Sequence, residues 1–233
     1  GGMLGRCLGR CLGHVWEVLG GISKGLFDTL YHEHVSNFSF YSLNLALKQF
    51  DLKIIDGSLL KTQGGSFRAI CIKDSSSKKI LISNRLKKIH EKEIAIKINN
   101  IKLYDNINYK ILNKINNLKI KLDYFFKTLP LNESIIGIGG SARGVVITNV
   151  LNINNFISFV VDDTTAKQDC FFPGSENKII KWNNKKINKT KYFIILAWNY
   201  KNTLINKLRQ KKNGQIFYTI NLLPEFSIKK FND

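Results

Sequence analysis

The chain has 233 residues, enough for one large domain or two small ones, and 44% of them are apolar. Its formal net charge is +19, but Lys accounts for 30 of the 36 basic residues. Surfaces that read nucleic-acid bases favour Arg, and surfaces that stack on bases interleave aromatic residues. The Lys-rich stretch at 87–121 has neither pattern. We therefore expect a solvated basic surface and no specific nucleic-acid partner.

The cysteine count and the hydropathy pattern indicate the compartment. Four cysteines are scattered along the chain, and only Cys7 and Cys11 lie close together. One such pair does not complete a zinc site, so we expect reduced thiols and no bound metal. The sequence has no run of about 20 apolar residues and no signal-peptide pattern, so we expect a cytoplasmic protein without a membrane partner.

Residues 1–23 differ in composition from everything downstream. They hold seven of the 17 glycines and a repeated Leu-Gly-Arg-Cys at 4–7 and 8–11. Because glycine makes a helix costly, this break in composition predicts an atypical N-terminal tail of different origin. An amphipathic helix is the alternative.

The next elements predict a small mixed α/β piece. Apolar residues at helical spacing predict a helix over 40–50. Strand-like runs at 52–55 and 67–72 are separated by Gln63-Gly64-Gly65, which predicts an antiparallel pair joined by a turn. An apolar stripe over 111–129 then predicts a long helix.

From residue 130 onward, strands and helices alternate. The predicted strands are 135–138, 156–161, 192–198 and 215–220, and the predicted helices run from the first strand to about 151 and over 203–211. Strands joined by helices in this order predict an α/β fold with a parallel sheet of the Rossmann type.

These patterns divide the chain into four predicted segments. They are a tail at 1–23, a small piece at 24–75, a helical connector at 76–129 and a Rossmann-like domain at 130–233.

The densest cluster of titratable side chains is Tyr31-His32-Glu33-His34. One interpretation is a general base with an orienting carboxylate, since imidazole exchanges protons near neutral pH. A second is a His-x-His metal pair, which lacks an obvious third ligand nearby. The third is a polar strand end whose imidazoles bind backbone groups.

A glycine-rich turn joins the first Rossmann strand to its helix. Gly137, Gly139 and Ala142 match the G-x-G-x-x-A form of the dinucleotide fingerprint. Arg143 would add a phosphate contact, and Asp162 ends the next strand, where a carboxylate meets a ribose hydroxyl. This arrangement favours a nucleotide-type ligand, and a tight turn without a ligand is the alternative.

Three further polar or aromatic residues are candidates for binding. Arg68 lies just inside a predicted strand, where it would either clamp an anion or pair with a surface acid. Trp198 and Asn199 close the third Rossmann strand, at the carboxyl edge where ligands bind in such sheets. The indole would either stack on a base or close the core.

Taken together, several stretches resemble the S-adenosylmethionine-dependent C-methyltransferases that act on nucleotide-linked sugars. Their order and spacing agree from about residue 24 to the C-terminus. The stretches are Phe27-Asp28-Thr29-Leu30-Tyr31-His32-Glu33-His34, Gln63-Gly64-Gly65-Ser66-Phe67-Arg68, residues 137–144, Val160-Val161-Asp162 with Lys167-Gln168 and Pro173-Gly174, and Leu196-Ala197-Trp198-Asn199.

The resemblance implies an active site. His34 would be the general base that removes the proton beside a keto group, with Tyr31 and Glu33 in the same site. Tyr31 would donate a hydrogen bond to the enolate oxygen. The implied methyl donor is S-adenosylmethionine and the implied partner is a nucleotide-linked keto-sugar. The implied substrate-binding residues are Arg68, Gly137, Gly139, Ser141, Arg143, Asp162, Trp198 and Asn199.

The sequence also departs from the family pattern. The zinc cysteines and the glycine-rich donor-binding loop are missing, and Gln63 stands where the family commonly has His. We therefore expect a truncated member that keeps the end of a class I methyltransferase domain and the C-terminal Rossmann-like domain. The alternatives are a non-catalytic nucleotide-sugar binding module and an NAD-dependent oxidoreductase.

Overall fold

A computed structural model describes residues 25–29, 31–32, 37–60, 66–74, 81–182 and 184–232. The chain forms two compact units. The first includes Glu33–Lys110, and the second comprises Leu26–His32 and Ile111–Asp233. The predicted tail at 1–23 and the predicted turn at 63–65 lie outside the described residues.

The described residues of the first unit include two helices and a two-stranded sheet. Its elements are α1 (Phe40–Lys48), β1 (Leu52–Leu60), β2 (Ser66–Lys73) and α2 (Asn84–Ala95). The strands are antiparallel, as predicted, and both are longer than the sequence pattern suggested. Their apolar side chains pack with those of α1 and α2 into one core. That core comprises Phe40, Leu43, Leu47, Ile54, Phe67, Ala69, Cys71, Leu86 and Ile89.

Helix α3 spans Ile101–Thr128 and is longer than the stripe that predicted it. The predicted start at residue 111 is wrong by ten residues. The reason is burial: Leu118, Leu122 and Phe125 are buried near the end, whereas Ile101 at the beginning is exposed. The first turns therefore carry no apolar stripe that a periodicity argument detects.

The second unit is built on a six-stranded sheet. Its strands are β3 (Ile135–Ile138), β4 (Ile157–Val161), β5 (Ile179–Ile180), β6 (Tyr192–Ile195), β7 (Phe217–Asn221) and β8 (Ser227–Phe231). The helices are α4 (Ala142–Leu151), α5 (Asn184–Lys189) and α6 (Lys201–Lys212). The strand order is β5-β4-β3-β6-β7-β8, and all pairs are parallel except the β7–β8 pair. This is the Rossmann order, so the predicted α/β parallel sheet is confirmed.

Two edge strands and one boundary differ from the sequence prediction. Strands β5 and β8 were not predicted, because β5 has only two residues and β8 has three consecutive exposed residues, Ile228, Lys229 and Lys230, and so no alternation of burial. Strand β6 ends at Ile195 rather than at Trp198. The N–H groups of Leu196 and Ala197 both donate to the carbonyl of Ile138, at 2.9 and 3.3 Å, which turns the chain around the end of β3.

Asparagine side chains hold the turn at Pro173-Gly174. Asn149 Nδ2 donates to the carbonyl of Pro173 at 3.1 Å, and Asn154 Nδ2 donates to the carbonyl of Gly174 at 3.1 Å. Gly174 has a φ of +81°, and a Cβ there would lie 2.1 Å from Asn149 Oδ1. Glycine is therefore required at this position for packing as well as for backbone conformation.

Replacing Gly174 with Ala should lower the free energy of unfolding by about 2 kcal/mol, from backbone strain plus the displaced Asn149 hydrogen bonds. Urea denaturation followed by circular dichroism measures this change. Gly214→Ala is the matched control, because Gly214 has the same φ of +81° outside the asparagine cluster. Equal losses in the two variants would contradict the packing argument.

In the described part of the chain, none of the helices combines the length and the apolar character needed to cross a membrane.

Candidate functional site

In a sheet of this type the ligand crevice is expected at the carboxyl edge where the strand order reverses, which here is between β3 and β6. The chain proceeds from β3 to β4 and β5 on one side, and from β6 to β7 and β8 on the other. The loops that follow β3 and β6 therefore leave in opposite directions, and ligands of such sheets bind at this point. The segments that border the crevice are residues 139–143 after β3 and residues 196–199 after β6.

The glycines of the first loop are required by packing within the protein. Gly139 has a φ of +89°, and a Cβ there would lie 2.5 Å from the Cβ of Ala197. A Cβ on Gly137 would lie 2.8 Å from Leu196 Cδ1, and one on Gly144 would lie 2.9 Å from Leu196 Cβ. The segment after β6 thus fills the space that these glycines leave.

Asp162, which follows β4, binds the glycine turn. One carboxylate oxygen accepts the Gly140 N–H at 2.7 Å, and the other accepts the Thr164 N–H at 2.8 Å. Lys167 Nζ donates to the carbonyl of Gly140 at 2.9 Å and lies 3.9 Å from the carboxylate. Burial alone would raise the pKa of Asp162, but these N–H groups and the Lys167 charge outweigh it and lower that pKa. The carboxylate is therefore an internal ligand of the turn.

Four side chains form a cluster, which we call the Asp28 cluster: the buried Asp28 and Arg143, the partly buried Trp198 and the exposed Asn199. The Trp198 indole N–H donates to Asp28 Oδ2 at 2.7 Å. Arg143 Nη1 donates to Asn199 Oδ1 at 3.0 Å and lies 3.7 Å from the same Asp28 oxygen. The guanidinium lies 5.5 Å from the centre of the Trp198 ring, within cation–π range.

Asp28 is the most deeply buried residue of this cluster. It is fully buried, and its second oxygen, Oδ1, has no hydrogen-bond partner among the described residues. Burial raises the pKa of the Asp28 carboxyl, although the Trp198 hydrogen bond and the nearby charges of Arg143 and Lys114 lower it in part. Sequence reasoning did not select Asp28. The available signal was an acidic residue directly after Leu26 and Phe27 in an otherwise apolar run.

The structure brings together several of the predicted binding residues. Arg143, Trp198 and Asn199 are in contact, and Ser141 caps α4 by accepting the Gly144 N–H at 3.1 Å. Arg68 is exposed on β2 and belongs to the first unit.

The predicted catalytic cluster is described only in part. Tyr31 is partly buried, and its ring makes an edge contact with His32 at a centroid distance of 6.3 Å. Glu33 and His34 lie outside the described residues. Among the residues that the structure does describe, no group of three or more His, Cys, Asp or Glu side chains could hold a metal ion. Cys170 is an exposed free thiol.

A Rossmann-like sheet with polar side chains at its switch point defines a class of ligand-binding α/β proteins rather than one activity. The family model for the C-methyltransferase C-terminal domain matches residues 61–221, more than half of the chain. The chain therefore belongs to this C-methyltransferase family, which confirms the resemblance seen in the sequence. No curated protein matches the chain. Asp28 and Tyr31 lie upstream of the matched segment.

Proposed function

We propose that this protein takes part in S-adenosylmethionine-dependent C-methylation of a nucleotide-linked keto-sugar. The observation that carries the proposal is the family match over residues 61–221. The crevice between β3 and β6 supports it, because a polar switch point is the usual ligand site in such sheets. The proposed setting is the cytoplasm.

The residues described here do not fit the donor at the glycine turn. Donor-binding turns of this kind leave open space beside their glycines so that a ligand can approach the backbone. Here Leu196 and Ala197 fill that space, and the Asp162 carboxylate takes the Gly140 N–H. We therefore assign the turn to the support of the substrate side, and S-adenosylmethionine remains the donor that the family implies.

The proposed contribution of this chain to the chemistry is proton abstraction. His34 removes the proton from the carbon next to the keto group, and the electron pair of the broken C–H bond moves onto the keto oxygen. The resulting enolate needs a hydrogen-bond donor, because imidazole is too weak a base to form it unaided. Tyr31 supplies that hydrogen bond, and Glu33 orients the imidazole.

Substrate binding is proposed at the carboxyl edge. Asn199 is exposed and contacts Arg143, so it can accept or donate a hydrogen bond to a sugar hydroxyl. Lys167 is partly exposed beside Asp162 and provides a positive charge near the crevice for a diphosphate. Gly137, Gly139, Ser141 and Trp198 shape this edge from within, because their contacts are made inside the protein. Arg68, on β2 of the first unit, is proposed as a separate anion contact.

Deuterium incorporation tests this step without the methyl donor. In D₂O, the protein should exchange the proton next to the ketone of a nucleoside-diphosphate keto-sugar faster than buffer alone does. Proton NMR measures the rate of this exchange. His34→Ala should slow the exchange by about 100-fold or more, the usual contribution of a general base. His90→Ala is the control, since His90 is an exposed imidazole on α2 of the first unit.

Absence of exchange with every keto-sugar tried would overturn the proposed chemistry. Retained binding of the same compounds would then favour a non-catalytic binding module, and reduction of added NAD⁺ would favour an oxidoreductase.

A further inference from the structure

We propose that Asp28 is a positioning residue that fixes the segment Leu26–His32, and with it Tyr31, to the carboxyl edge of the six-stranded sheet through Trp198 and Arg143. This inference rests on the proposed function for the role of Tyr31. The anchoring itself can be tested independently of any activity.

The main observation is a single, partly buried hydrogen bond between distant parts of the chain. Trp198 Nε1 and Asp28 Oδ2 are 2.7 Å apart and belong to residues separated by 170 positions. A charge-assisted bond of this length is among the stronger hydrogen bonds in proteins. It joins the segment Leu26–His32 to the loop after β6, within the second unit.

Arg143 is the second side chain near the Asp28 carboxylate, and we call Asp28, Trp198 and Arg143 together the anchor. Its guanidinium reaches Asp28 on one side, at 3.7 Å, and Asn199 on the other, at 3.0 Å, while lying over the Trp198 ring. Arg143 is itself buried, in the first turn of α4. The Asp28 carboxylate thus accepts a hydrogen bond from the loop after β6 and lies at ion-pair distance from the first turn of α4, and the two contacts together fix its position.

The segment leaves the interior immediately after the anchor. Leu26, Phe27, Asp28 and Thr29 are buried, Tyr31 is partly buried and His32 is exposed. Tyr31 follows Asp28 by three residues, so its Cα lies within about 11 Å of the anchor even in a fully extended chain. Displacement of Asp28 would therefore move the Tyr31 hydroxyl relative to the crevice.

Apolar packing alone would not require this carboxylate. Burying a charged group has a large desolvation penalty, and an apolar residue of similar size often stabilises such a site as well or better. A buried carboxylate with one specific hydrogen-bond donor and one nearby guanidinium fixes one geometry instead, and a positioning role accounts for the presence of Asp28 here.

Trp198→Phe tests the anchor, because it removes the indole N–H and retains an aromatic ring. Amide hydrogen exchange across 26–32, followed by mass spectrometry, should become about tenfold faster, while peptides from β3 and β6 keep their protection. Trp182→Phe is the matched control. Trp182 is a partly buried indole of the same unit, and its ring contacts Lys207 at 4.6 Å.

Kinetics of the deuterium incorporation then separate positioning from substrate contact. Trp198→Phe should lower kcat about tenfold and change KM less than twofold, since a misplaced Tyr31 weakens enolate stabilisation only. Asp28→Asn, which keeps an oxygen that accepts the indole N–H, should recover most of the kcat that Asp28→Ala loses.

Each outcome is informative. Unchanged amide exchange across 26–32 in Trp198→Phe overturns the anchor. Faster amide exchange with normal kcat, or a raised KM with normal kcat, overturns the positioning role. A parent protein without any turnover refutes the proposed function, while the amide-exchange result still decides whether Asp28 anchors the segment.

Discussion

Replacing Asp28 with Ala should lower the free energy of unfolding by about 3 kcal/mol, because removal of one partner of a buried pair leaves the other without compensation. The Trp198 N–H would lose its acceptor and Arg143 would lose its nearest carboxylate while remaining buried. Urea denaturation followed by Trp fluorescence measures this loss, since Trp182 and Trp198 both lie in the second unit.

The matched control for this substitution is Asp123→Ala. Asp123 pairs with Lys127 on the exposed face of α3, at 2.7 Å. Exposed pairs of this kind contribute at most about 1 kcal/mol, so this variant should remain close to the parent. Similar losses of unfolding free energy in the two variants would show that burial does not determine how much Asp28 contributes to stability.

The same carboxyl predicts a pH dependence with a definite sign. Burial raises the pKa of Asp28 above its ordinary value of 3.8, so the native state binds the proton more tightly than the unfolded state. The resulting contribution to the free energy of unfolding is fully present below pH 3.8 and is lost as the pH rises through the folded-state pKa. The stability of the parent relative to Asp28→Asn should therefore fall as the pH rises above 3.8 and through the folded-state pKa of Asp28. A constant difference, or one that grows with pH, argues against a raised pKa.

Replacing Glu93 with Ala should destabilise the first unit by about 3 kcal/mol, because two helix-terminal N–H groups would lose a buried acceptor. The Glu93 carboxylate accepts the N–H of Phe40 at 2.7 Å and that of Tyr41 at 2.8 Å, at the start of α1. Burial nevertheless raises the pKa of Glu93, since desolvation exceeds the effect of these two hydrogen bonds.

Amide hydrogen exchange of peptides from α1 measures this effect directly. Glu93→Gln keeps one oxygen acceptor and should lose only about 1 kcal/mol. Glu91→Ala is the control, because Glu91 is exposed on the same helix. Protection of α1 that survives Glu93→Ala would mean that Ser39 alone suffices as the cap, through its hydrogen bond from the Ser42 N–H at 3.0 Å.

Local sequence patterns predicted most elements of the second unit. The apolar runs at β3, β4 and β7 and the glycine turn after β3 are each contained within a few neighbouring residues. Such signals depend on backbone preferences and on the periodicity of burial, so they can be read from a single sequence. Strand β5 was missed because two residues carry no measurable alternation.

The site was predicted less completely. Arg143, Trp198 and Asn199 were selected because they follow strand ends, and the structure does bring them together. Asp28 was not selected, since its significance depends on an indole 170 residues away. Sequence alone also favoured Asp162 as a ligand for ribose, whereas its carboxylate binds the N–H of Gly140.

The sequence by itself therefore determined the family, the alternation of strands and helices, and the end of the sheet at which the candidate site lies. These follow from local patterns and from the rule that parallel strands present their carboxyl ends at one edge. Only the tertiary structure decided which groups the side chains at that edge bind. The space beside the glycines is filled by Leu196 and Ala197, and the carboxylate of Asp28 lies against Trp198 and Arg143. Contacts between distant residues depend on the packed positions of whole elements, which no local pattern encodes.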